Sequence, residues 1–208
     1  MNYTLSIMIP TIVGREKVLS DLVCDLIRQC GNLRNTVGSN EGGCEITILE
    51  FDRVEVIIAK DNRGISTGEK RNLLLRLAKN DYVVAIDDDD YIYPYYVHEI
   101  LKATETFPDC IATRGLYTHD GNQSTEWRLS KDYPNETINE HGRNVYIRTT
   151  NHISPVKREL ALKAGYPDKS NAEDKEYSIR LNPFLKTEVK IDKIMYHYRF
   201  SSQNKSYK

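Results

Sequence analysis

The sequence predicts an α/β fold: one domain with a central, mostly parallel sheet flanked by helices, and a mixed second half. Two observations predict it. Through the first 110 residues, short β-branched apolar runs alternate with segments of helical period, the pattern of strands joined by crossover helices. The chain has 208 residues and is 39% hydrophobic, enough to bury one core without disulfides.

The elements follow in order. Residues 5–10 (LSIMIP) form a short apolar run ended by proline, read as a buried strand. Over 16–29, Leu19, Leu22, Val23, Leu26 and Ile27 share one helical face, with Gly31 as the stop. Residues 31–43 carry no period and many turn formers, so a loop is expected. Residues 46–49 and 54–59 are strand-like, and 61–64 (DNRG) close the second as a turn. Ser66 and Glu69 fit a capping box, opening a helix to about residue 79 through Leu73, Leu74 and Leu77. Residues 82–86 (YVVAI) are a strand that runs into Asp87, Asp88, Asp89 and Asp90. Pro94 suits the first turn of the next helix, which carries Val97, Ile100 and Leu101. Residues 110–117 read as another strand, and 119–122 (HDGN) as a hairpin turn. Beyond it, 144–148 is a strand, 156–164 a helix stopped by Gly165, 173–181 a short helix, 189–198 a strand or strand pair, and 201–208 a polar tail.

Composition excludes several classes. With 29 Lys+Arg against 30 Asp+Glu, the chain lacks the basic excess of a general nucleic-acid binder. No apolar run approaches the roughly 20 residues that span a bilayer. No Lys or Arg precedes the first apolar stretch, which argues against a signal peptide. Cys24, Cys30, Cys44 and Cys110 make no CxxC pair and no zinc-like spacing. Thiols of this kind fit a reducing, cytoplasmic location.

In an open α/β sheet, ligands bind outside the carboxyl ends of the strands. Residues 10–15, 61–71 and 87–90 all fall at such ends. Four adjacent carboxylates repel one another, and a divalent cation bound through oxygen relieves that; the plain alternative is a solvated acidic turn. Lys70 and Arg71 lie near a helix N-terminus, where the dipole disfavours cations. A bound anion resolves that conflict; the alternative is a solvated basic pair. Asp61 suits recognition of a base or sugar, or simply a turn. Glu173 and Asp174 are a candidate acid pair or a helix cap. His152 and His197 are candidate ligands or structural histidines, and His197 stands near the end of a strand in Tyr196-His197-Tyr198-Arg199.

Together, SIMIPTIVGR, VIIAKDN, GEKRNLLLRLAKNDYVVAIDDDDYIYP and EDKEYSIRL resemble glycosyltransferases of the GT-A (Rossmann-like) fold, and among them the inverting family 2. NHISPVKREL and AGYPD resemble that family's acceptor-side segment. The resemblance spans residues 3–200, is strongest over 54–100 and weakest over 112–150. Residues 31–53 look longer than the family's usual connection. It implies a nucleotide-sugar half (1–110) and an acceptor half (111–200) in one domain. It implies that Pro10, Thr11 and Arg15 line the nucleotide pocket, that Asp61 recognises the base, and that Lys70 and Arg71 lie near the diphosphate. Asp87 and Asp89 match the D-x-D motif: Asp87 near ribose, with Asp88 beside the donor, and Asp89 a ligand of Mn²⁺ or Mg²⁺. One of Asp88 and Asp90 should face the fold. Asp174 matches the catalytic base, with Glu173 and His152 on the acceptor side, and His197 matches a late metal or phosphate ligand. The implied reaction moves a hexose from a UDP-sugar to a hydroxyl of a glycan, protein or lipid-linked acceptor. A sugar-phosphate nucleotidyltransferase, a non-catalytic sugar- or cation-binding module and a retaining transferase are the rival readings.

Overall fold

The computed structural model describes residues 3–202; of the expected polar tail, 203–208 lie outside the described residues. Twelve strands join one sheet in the order β2-β3-β4-β1-β5-β11-β7-β8-β10-β9, with β12 pairing β6 and β7.

Its centre is parallel. β1 (Leu5–Ile12) lies between β4 (Val54–Asp61) and β5 (Tyr82–Ala85), all running the same way. These strands are buried on both faces, which is why their sequences are continuous apolar runs. Side chains alternate between two cores. Leu5, Ile7, Ile9, Val56 and Val84 pack on one face with Leu22, Leu26, Val97 and Ile100 of α1 (Glu16–Cys30) and α3 (Tyr96–Ala103). Met8, Ile57 and Val83 pack on the other with Leu73, Leu74, Ala161 and Leu181. Those belong to α2 (Thr67–Leu77), α4 (Arg158–Ala164) and α5 (Glu173–Leu181). No helix among the described residues is long and apolar enough to cross a membrane.

The rest of the sheet is mixed. β3 (Cys44–Glu50) is antiparallel to β4, and β7 (Cys110–His119) turns back into β8 (Thr125–Leu129). The turn is closed by Asn122 N–H donating to His119 O at 3.0 Å, as expected for HDGN. β9 (Glu136–Glu140) and β10 (Arg143–Arg148) form a hairpin, and β12 (Glu188–Phe200) runs parallel to β7 and antiparallel to β6 (Tyr91–Ile92).

Three expectations need correction. Residues 31–43 are not all loop: β2 (Asn35–Glu41) pairs along the edge of β3. Every β2 residue is exposed, so no buried face leaves a pattern to read. The helix expected over 156–164 begins with β11 (Val156–Lys157), which bridges β5 and β7. Pro94 precedes α3 by two residues and lies outside its first turn.

The segment 166–170 is held against the start of α2. Asn72 exchanges hydrogen bonds with Tyr166 N–H and O, both at 2.8 Å. Gly68 N–H donates to Lys169 O at 3.0 Å. A Cβ on Gly68 would sit 1.8 Å from Pro167 O. Gly68→Ala therefore forces backbone apart. It is expected to cost about 1–3 kcal/mol, a fall in Tm of roughly 2–12 °C in a chain this long, measured by thermal unfolding.

Candidate active site

The sheet brings the sequence-predicted acids and bases to one edge. Gly14, at φ +93°, turns the chain between β1 and α1. Arg15 then folds back onto the acidic run: its guanidinium pairs with Asp88 at 2.6 Å and with Asp89. Thr11 Oγ1 donates to the other oxygen of Asp88.

The acidic run forms a tight turn between β5 and β6, closed by Asp90 N–H donating to Asp87 O at 3.2 Å. Asp88 and Asp90 turn inward and are buried, while Asp87 and Asp89 keep side chains 34% and 24% exposed. Both Asp88 and Asp90 face the fold, where one was expected. Burial pushes Asp88 up to about 6, against the pull of Arg15 and Thr11. Burial, with the neighbouring Asp87 charge, holds Asp90 well above the usual carboxylate range. Asp90 accepts from Tyr196 Oη at 2.6 Å and from Arg199 N–H at 2.9 Å. Asp88 is thus held by Thr11 and Arg15 inside the fold.

Lys70 and Arg71 are both buried. Lys70 Nζ donates to Thr11 O at 2.8 Å and pairs with Asp61. Burial works against the charge on Asp61, but Lys70 and the Ile65 N–H outweigh it and lower its pKa. Arg71 reaches Glu173 at 2.6 Å with one arm and Asp87 at 2.7 Å with the other. Its guanidinium lies over the Tyr166 ring at 5.7 Å, and Tyr166 is stacked on Tyr177 with centroids 4.0 Å apart. Burial opposes ionisation of Asp87, yet Arg71 first, then His152, hold it far below the usual carboxylate range.

The start of α2 is satisfied by groups of the chain itself. Ser66 Oγ accepts from Glu69 N–H at 3.0 Å, Thr67 N–H donates to Ser170 Oγ at 3.2 Å, and Gly68 N–H goes to Lys169 O. The backbone donors are used, and carboxylates of the chain itself balance both cations.

On the opposite wall, α5 opens at Ala172, a left-handed residue at φ +56°. That strained start precedes two adjacent acids with different surroundings. Glu173 is buried on Arg71; Asp174 keeps a side chain 41% exposed. His152 stands between the walls: Nε2 is 3.6 Å from Asp87 and Nδ1 is 4.0 Å from Asp174.

His197 is not brought into this group. Its Nε2 lies 3.0 Å from Thr118 Oγ1, and no cluster of three or more His, Cys, Asp or Glu suited to a metal occurs among the described residues. Tyr196 and Arg199 are the residues that sequence reasoning missed. Tyr196 joins Asp87 N–H to Asp90, and Arg199 also donates to Asp89 O at 2.9 Å. Their one signal was their place in the strand that carries His197.

The model of glycosyl transferase family 2 matches residues 6–161, three quarters of the chain. The chain belongs to that family. The family match takes in Asp61, Lys70, Arg71, the acidic run and His152, and stops before Asp174 and His197. No curated protein matches the sequence. Among solved structures, S. aureus TarS 1-349 in complex with UDP is 16% identical and covers 97% of this chain and 62% of its own, with a TM-score of 0.65. The same protein in complex with UDP-GlcNAc is 16% identical and covers 94% and 58%, with a TM-score of 0.63. The likeness extends over nearly the whole family 2 chain and shows the GT-A fold. This chain spans about three fifths of the length of those structures.

Proposed function

We propose that this family 2 protein is an inverting glycosyltransferase that moves a hexose from a UDP-sugar to an acceptor hydroxyl. One observation carries the reading: Asp87 and Asp174, from opposite walls, meet across His152 at the carboxyl edge of the parallel strands. UDP and UDP-GlcNAc in the S. aureus TarS structures support a uridine donor. Residues 1–110 form the donor half and 111–200 the acceptor half. Four free thiols suit a reducing compartment such as the cytoplasm.

Pro10, Thr11, Arg15 and Asp61 outline the nucleotide side. Asp89, with Asp87, offers partly exposed carboxylate oxygens, the donor set that Mn²⁺ or Mg²⁺ takes. A divalent ion there supplies positive charge for the departing diphosphate. Arg15 supplies a further positive group beside Asp89. Asp174 accepts the proton of the acceptor hydroxyl as its oxygen bonds to the anomeric carbon. The bond from that carbon to the diphosphate oxygen breaks, and the nucleoside diphosphate leaves with the electron pair. One displacement inverts the anomeric centre.

Calorimetry with UDP and Mn²⁺ tests the donor side. Saturable binding by the wild type, and its loss in Asp89→Ala, is the expected result; equal binding by both removes Asp89 from the site.

A further inference from the structure

A cleft of about 480 Å³ adjoins Asp174; Tyr117, Trp127, Tyr146 and Tyr198 line it together with polar residues that include Asn151, and Arg148 lies over the Tyr146 ring at 5.3 Å. The rings support one another, Tyr117 lying 6.1 Å from Tyr146 and 5.4 Å from Tyr198 between centroids. Trp127 is fixed by its N–H donating to Leu116 O at 3.0 Å. Tyr198 is 41% exposed. The hydroxyls of Tyr117, Tyr146 and Tyr198 make no hydrogen bond among the described residues. Asn151 accepts from Ile153 N–H through Oδ1 at 3.2 Å, which leaves its amide N–H groups for a ligand.

We infer that this cleft holds the acceptor, and that the acceptor presents a pyranose ring packed on Tyr146 and Tyr198 with one hydroxyl directed at Asp174. The inference rests on the transferase reading for the word acceptor, not for the binding of sugar. The chemistry is that of a ligand with one apolar face and a hydroxylated rim. A pyranose with equatorial hydroxyls shows a flat C–H face that fits aromatic rings. Its rim of hydroxyls meets the unpaired phenols and the Asn151 amide. A linear polyol lacks the flat face.

Trp127 is the only tryptophan of the chain and lines the cleft, so its emission reports on occupancy. The purified chain is titrated with cellobiose, chitobiose, lactose and maltose, and with ribitol as a linear polyol. At least one disaccharide is expected to change Trp127 emission saturably, and ribitol is not. Tyr198→Ala and Tyr146→Ala, each checked for folding by its unfolding midpoint, should weaken that response on the order of tenfold; Tyr198→Phe should keep most of it. UDP binding with no response to any disaccharide overturns the inference and leaves the transferase reading standing. A response to ribitol equal to that of the disaccharides overturns the pyranose assignment. A disaccharide response without UDP binding or donor turnover upholds the sugar cleft and removes the transferase reading.

Discussion

Asp174→Asn is expected to leave UDP binding unchanged and to lower sugar transfer by about 10²–10⁴-fold, the usual worth of general-base help. The substitution keeps the shape of the side chain and removes its ability to take a proton. Two adjacent acids compete for the role, and their surroundings decide between them. Glu173 is buried and held by Arg71 at 2.6 Å, so one carboxylate oxygen is already engaged with a cation and its position is fixed by the fold. Asp174 keeps an open carboxylate in the wall of the aromatic cleft, with His152 4.0 Å away. An exposed side chain with no short partner leaves nothing unsatisfied when it is changed, so stability should move by no more than about 0.5 kcal/mol. Activity lost without stability or UDP affinity separates this role from a structural one. Transfer retained by Asp174→Asn would show that another group takes the proton. The measurement is turnover of a UDP-sugar with acceptor, beside calorimetry with UDP.

How much of this was legible in the sequence follows from what each residue buries. β1, β4 and β5 are buried on both faces, and α1 shows one clean apolar stripe, so their residues announce them. β2 and most of β9 bury almost nothing, and a polar run at a sheet edge looks like a loop. The carboxyl-edge rule places residues 10–15, 61–71 and 87–90 together from the sequence alone. It could not say how they pair. Arg71 and Glu173 are 102 positions apart, and so is the contact that turns Ser66 toward Asp168. The Lys70-Arg71 pair reads as a vacant anion site only while its carboxylate partners remain unknown. Tyr196 was invisible as a site residue because a lone Tyr in a strand is ordinarily core; only the antiparallel pairing of β12 with β6 carries its hydroxyl to the acidic run. Which of the four Asp turn inward was not legible, because it is set by a turn, closed by Asp90 N–H on Asp87 O, that a run of identical residues does not announce.

Arg71→Met is expected to cost about 3–5 kcal/mol, the price of leaving a buried carboxylate without its partner. In a chain of this length that lowers Tm by roughly 6–20 °C. Arg71 is almost wholly buried and joins two elements through Glu173 of α5 and Asp87 beyond β5. A point charge would not serve, because two carboxylates at 2.6 and 2.7 Å need two arms of one planar group. The direction with pH can be worked out from Asp87, whose carboxyl is opposed by burial but held far below its usual range by Arg71 and then His152. A lowered folded-state pKa gives stability that is full above the unfolded value and is lost as pH falls below it. The gap between wild type and Arg71→Met should therefore be full at pH 7 and narrow below about pH 4. Adding Glu173→Gln removes one of the two stranded charges, so the double variant should recover part of the loss. Urea unfolding of the wild type, both single variants and the double variant at pH 7 and pH 3 measures this. An equal loss in Arg71→Met with and without Glu173→Gln would mean that the ion pair is uncoupled. The cost would then lie in the Asp87 pair or in the packing of Arg71 on Tyr166, and a gap to wild type that stays constant with pH would leave only the packing.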